Sequence, residues 1–170
     1  FTSADAGSST GRRLALVSES LPIHSSGTML ETDAYNEADG FSAGQAMLTY
    51  LPHAATTGLP GWDDIEASLA ADCPTVLINA ETGERVPHWS EIDHSTAEPD
   101  GSFMIRPAVR LEDDTRYIVG IRGVVDEGGA AIEPSEQFRA LRDLVGSDDP
   151  DIEARRPLYA DIFMRLGQAG

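Results

Sequence analysis

Arg116-Tyr117-Ile118-Val119-Gly120-Ile121-Arg122-Gly123-Val124-Val125 carries the clearest strand signal in the chain. Tyr117, Val119 and Ile121 share one face by the two-residue period of a strand, and the residues between them are also largely apolar. Such a run, without polar alternation, predicts a strand covered on both faces. Asp126-Glu127-Gly128-Gly129 after it predicts a turn. Upstream, Ser102 to Pro107 and Thr75-Val76-Leu77-Ile78-Asn79 read as strands. Glu81-Thr82-Gly83-Glu84 is turn-forming, and Arg85 to Ile92 returns as a strand, so that this pair is expected to form a β-hairpin.

Further out the signals weaken. Ala46 to Leu51 predicts a strand closed by Pro52, and Leu14 to Val17 a short one. Trp62 to Leu69 predicts a short helix, with acids in its first turn and Ile65 and Leu69 four apart. Phe1 to Gly11 is small and polar and reads as irregular; residues 21–45 show no sustained period and predict a long ordered loop. Beyond Pro134 the period changes. Ser135 is a good N-cap, and Phe138, Leu141, Leu144 and Val145 recur at helical spacing. A second helix is expected from about Asp151, with Ile152, Tyr159, Ile162, Phe163 and Leu166 on one stripe, and Pro157 is expected to kink or divide it. About six short strands followed by helices predict a mainly β fold, a sandwich with C-terminal helical additions.

Composition narrows the function. The 170 residues are enough to build an apolar core without disulfides. Twelve basic residues, all of them arginine, face 29 acidic ones for a net charge of −17. That field repels phosphate backbones and argues against nucleic acid as a partner. It suits a salty or extracellular setting. No stretch approaches the ~20 apolar residues of a membrane span. The chain opens on Phe1-Thr2 rather than methionine, from which removal of a preceding segment is expected. Cys73 is the single cysteine, so no internal disulfide is available, and its setting before an apolar strand reads as packing rather than nucleophile.

Two segments resemble a known family. Tyr35-Asn36-Glu37-Ala38-Asp39-Gly40-Phe41-Ser42-Ala43-Gly44, followed by the strand up to Pro52, is similar to the Asn-x-x-Asp-Gly-Phe-Ser signature in the N-terminal domain of secreted bacterial lipases of the virulence-factor type. Ile105-Arg106-Pro107 with Leu111-x-x-x-Thr115-Arg116-Tyr117-Ile118-Val119-Gly120-Ile121 and Val125-Asp126-x-x-Gly128 resembles the immunoglobulin-like strand pair of that domain, and Pro134-Ser135-x-x-Phe138-Arg139-x-Leu141-Arg142 also fits it. The likeness covers roughly residues 33–145. It implies an Ig-like β-sandwich with a long N-terminal loop region and C-terminal helical additions, divided as an irregular segment (1–45) packed on the sandwich, a core (46–133) and helices (134–170) leading to a further strand and a catalytic domain. The implied function is a non-catalytic accessory domain of an exported α/β-hydrolase, secreted or on the cell surface. Its partner is the catalytic domain, or a second chain of the same precursor. An independent binding module for polysaccharide or polymer is the competing reading, and a small serine enzyme a third.

No catalytic residue is assigned within the chain. Gly7-Ser8-Ser9-Thr10-Gly11 and Gly40-Phe41-Ser42-Ala43-Gly44 match Gly-x-Ser-x-Gly, but neither has an apolar strand before it and a helix after it, which is how the elbow raises its serine. His24, His53, His88 and His94 show no zinc spacing. His88, in Pro87-His88-Trp89, reads as packing or an edge contact. Asp33, Asn36 and Asp39 with Gly40 offer oxygen ligands for calcium, the one cofactor in view, against the alternative that their side chains fix the loop through backbone hydrogen bonds. Asp148, Asp149 and Asp151 read as acids at a helix N-terminus. Trp62, Trp89, Tyr35, Tyr50 and Tyr159 could form a stacking surface; Tyr117 lies in the best core strand.

Overall fold

The strands between Thr75 and Ile121 follow the apolar and β-branched runs of the sequence. A computed structural model describes residues 2–95 and 101–170. In chain order the elements are β1 (Thr2–Ala4), β2 (Arg12–Leu14), α1 (Asp33–Asn36), β3 (Met47–Thr49), β4 (Thr75–Asn79), β5 (His88–Ile92), β6 (Phe103–Pro107), β7 (Tyr117–Ile121), α2 (Glu136–Arg142) and α3 (Pro150–Ala169). The fold is sheet-rich, its strands all antiparallel: β1 with β2, a three-stranded sheet in the order β3-β6-β5, and β4 with β7. By contacts the chain divides into two units, residues 1–43 and 44–170.

The first unit is held by polar bonds. Asp5 accepts from the Gly7 amide and pairs with Arg13 at 2.6 Å, and Gly11 takes a φ of 71° to close the β1–β2 hairpin. This hairpin lies where an irregular segment is expected, and β2 starts two residues before the predicted strand. Ordering comes here from turn chemistry, which hydrophobic period does not report. No side chain among residues 2–43 is buried, while Val17, Ile23, Met29, Tyr35 and Phe41 are exposed. Amides of this unit are therefore expected to exchange with deuterium orders of magnitude faster than those of β4, β6 and β7. Equal protection in the two units, measured by exchange mass spectrometry, would contradict the assignment of stability to residues 44–170.

That second unit holds the buried apolar side chains. One cluster joins Ile92 of β5, Phe103 and Ile105 of β6, Ala54 and Val124, with Met47 of β3 and Val119 and Ile121 of β7 packed against it. The other joins Val76, Ile78 and Ala80 to Ile118, covered by Ile162, Leu166 and Ala169 of α3. β7 thus sends Val119 and Ile121 one way and Ile118 the other, as its unbroken apolar run predicts. Gly120 lets α3 approach: a Cβ there would stand 3.1 Å from Leu166 Cδ2.

Within residues 44–170 three elements depart from expectation, beside the hairpin above and the single turn of helix α1 inside the expected loop 21–45. The return strand after β4 pairs with it only through Arg85 and Val86, then crosses at Pro87 and joins β6 as β5. Proline has no amide to continue the first ladder, and its carbonyl instead accepts from Ala108. The expected helix at 62–69 is a five-residue 3-10 segment, Ile65–Leu69, without a side-chain cap. Helix α3 runs through Pro157 unbroken. Proline removes the amide that would reach Glu153, but the stripe beyond it lies on β4 and β7, and that packing sustains the helix.

Candidate functional site

A cluster of buried polar side chains lies inside the second unit. Thr75 at the start of β4 and His88 at the start of β5 are both fully buried. His88 Nε2 stands 3.0 Å from Thr75 Oγ1, and Nδ1 stands 2.9 Å from the Val86 carbonyl. A carbonyl can only accept, so the ring proton sits on Nδ1 and Nε2 accepts the Thr75 hydroxyl. Ser90 in turn donates to Thr75 Oγ1 at 3.1 Å, and Cys73 Sγ approaches the same oxygen at 3.8 Å. Ser68 accepts from the His88 amide at 3.1 Å and donates to the Ile65 carbonyl. Burial holds the His88 imidazole below its ordinary pKa of 6.5. The cluster ties β4, β5 and the 3-10 segment together, and no buried side-chain polar atom among the described residues lacks a partner. Its members are sealed from solvent, so it is built to join elements rather than to receive a substrate.

The motif serines lie elsewhere. Gly7–Gly11 forms the β1–β2 turn, where Ser9 donates to Asp39 at 2.8 Å. Ser42 lies ahead of the turn that leads into β3. Neither sits between a strand and a helix, the context a nucleophile elbow requires. His24 bonds Ser26 within its own loop, and His53 occupies a left-handed backbone position with φ 63°. The hydroxyl of Ser9 is thus given to a carboxylate, not to an imidazole.

The calcium candidates are engaged locally. Asn36 clamps Leu16, accepting from its amide at 2.8 Å and donating to its carbonyl at 3.0 Å. Asp39 takes the Ser9 hydroxyl, and its carbonyl takes that of Thr10. Asp33 lies in the first turn of α1. Among the described residues no group of three or more acidic, histidine or cysteine side chains converges as a metal shell. Nor is any helix among them long and apolar enough to cross a membrane.

Searched against protein families, curated proteins and solved structures, the chain has no match.

What remains as candidate surface is apolar. Leu48 is 63% and Tyr50 55% exposed on or beside β3, an outer strand of the three-stranded sheet. Cross-strand register puts Leu48, Met104 and Glu91 in one outward row, with Arg106 paired to Glu91 and opposite Trp89. Trp62 is 75% exposed and Trp89 half-buried. At the α2–α3 connection Leu144 and Val145 are exposed, with Leu158 and Met164 further along α3. Arg156 holds this connection, donating to the Ala140 and Val145 carbonyls and to Glu153. Phe138, Tyr159 and Phe163 pack ring edges between the helices at about 6 Å. Leu144 has φ 55°, a left-handed conformation at the end of α2 where glycine is the usual residue. Sequence reasoning missed Thr75 as a hub. The available signal was Thr75 at the head of an otherwise apolar strand, with His88 and Ser90 two apart, and so on one face, of the return strand.

Proposed function

We propose that residues 44–170 form an immunoglobulin-type sandwich that serves as a non-catalytic accessory domain of a larger exported hydrolase of the lipase or esterase kind. The observation that carries the functional part is the apolar surface left uncovered on the β3 edge and at the α2–α3 connection, exposed leucine, valine and tyrosine in a chain otherwise strongly acidic. Such a surface fits a catalytic domain of the same precursor, docked against it. Supporting the fold, Tyr117 at the head of β7 accepts the Glu112 amide through its hydroxyl at 2.9 Å, five residues back. This contact resembles the tyrosine corner of Greek-key sandwiches, and Val119, two residues on, packs against the apolar core as it would in that motif.

Leu144 offers a handle on this reading. A left-handed leucine costs about 1–2 kcal/mol, and strained residues cluster at functional sites. Leu144→Gly is expected to raise the unfolding free energy by about 1 kcal/mol, read by urea denaturation, and to weaken docking in the full-length protein. An unchanged or lowered stability would mean the side chain supports the fold. A fluorophosphonate probe on the full-length protein is expected to label a serine outside residues 1–170. Labelling of Ser9 or Ser42 would overturn the accessory role.

A second reading, a binding module for polysaccharide, draws on the exposure of Trp62. Retention of the chain on an insoluble glycan, lost on Trp62→Ala, would favour it over docking.

A further inference from the structure

The hydrogen-bond chain Ser90–Thr75–His88 has no part in the docking surfaces, yet its polarity is fixed throughout. The Nδ1 proton is committed to the Val86 carbonyl, so Nε2 is the acceptor on which the Thr75 hydroxyl depends. Thr75 Oγ1 has then given its one proton, and its oxygen faces Ser90 and Cys73. We propose that this chain is an acid-sensitive latch between the two sheets: a proton taken up at His88 Nε2 converts that acceptor to a donor, turns it against the Thr75 hydroxyl and loosens β4 from β5.

The groups around the ring offer the imidazolium no counter-charge. From β4 it meets Thr75, whose hydroxyl oxygen the Cys73 thiol also approaches; from the 3-10 segment, Ser68 bonds the backbone amide of His88. From β6 its register partner is Pro107. On its own segment lie Ser90, the Val86 carbonyl and Arg85, the nearby charge, which has the same sign as the imidazolium. No carboxylate bonds the ring among the described residues, whereas the solvent-accessible acids Asp5, Asp143, Glu153 and Asp161 each have an arginine. A buried cation without an anion is strongly disfavoured.

The sign follows from linkage. The folded-state pKa of His88 lies below its ordinary 6.5, first because of burial, which the Val86 bond opposes and Arg85 reinforces. The unfolded chain therefore binds the proton first as pH falls. Stability is complete above 6.5 and is lost as pH drops from there toward the folded value. One proton corresponds to at most about a tenfold fall in the folding equilibrium constant per pH unit. Acids held low by arginine, such as Asp161, lose their contribution only nearer and below the ordinary 3.8, so the two windows separate.

The test is urea denaturation of the whole chain at intervals between about pH 8 and pH 5, beside His88→Gln, whose amide oxygen keeps an acceptor for Thr75 but does not titrate. The expected result is a fall below about pH 6.5 in the native chain, approaching tenfold per unit, and a flatter profile in the variant. Identical profiles would overturn the latch. Should the glutamine variant not fold, nitrogen-15 NMR of the native chain decides. A neutral ring with its proton on Nδ1 persisting below pH 6.5 supports the latch, and an Nε2–H tautomer or titration at or above 6.5 refutes it.

Discussion

Phe103→Ala is expected to destabilise residues 44–170 by about 4 kcal/mol. Phe103 is fully buried on the central strand of the three-stranded sheet, facing Ile92, Ile105 and Val124, with β7 packed over them. Truncation removes the transfer energy of the ring and leaves a cavity that two hydrogen-bonded neighbours, β3 and β5, keep from collapsing. Domains of this size are stable by roughly 5–15 kcal/mol, so the loss is a large fraction of the total. In urea the midpoint should move down with the slope unchanged. Phe103→Leu, which keeps most of the volume, should cost less than half as much. A loss under about 1 kcal/mol for alanine would place the ring outside the core.

The second large effect belongs to Thr75→Val. Valine has nearly the same shape, so packing is preserved and no cavity opens. What disappears is the hydroxyl through which His88 Nε2, Ser90 and Cys73 are joined. Unsatisfied buried polar groups cost about 1–3 kcal/mol each; with some relaxation the expected loss is about 3 kcal/mol. Thr75→Ser supplies the contrast: it keeps the hydroxyl and gives up a methyl, at about 1 kcal/mol. If serine proved the costlier change in denaturation, the polar chain would be irrelevant to stability.

Sequence reading located the central elements because their signals are local. Thr75–Asn79 coincides with β4, the run from Arg116 contains β7, and Ser135 caps α2 by accepting the Phe138 amide as its position predicts. What escaped was decided at long range or by turns. Nothing in Arg85–Ile92 says that the segment leaves β4 at Pro87 for another strand, since that depends on β6, which is distant in sequence. The β1–β2 hairpin escaped because Asp5, Ser8 and Gly11 order it without an apolar period. Pro157 reads in isolation as a kink or a division, yet contacts of Ile162 and Leu166 with the sheet carry one helix past it without dividing it. His88 was legible as a packing residue. Its commitment to Thr75 was not, because it requires β4 and β5 to be brought side by side.

The crossing at Pro87 bears on how the chain reaches this state. One continuous segment is stitched to β4 through Val86 and to β6 from His88 onward, so neither sheet is complete until both are. The partners it brings together are far apart along the polypeptide: Met47 beside Ile105, Thr75 beside Ile121. Search for such distant pairings is slow, and folding is expected on the millisecond-to-second scale common to sheet proteins rather than in microseconds. Once formed, residues 44–170 should come apart in a single all-or-none event.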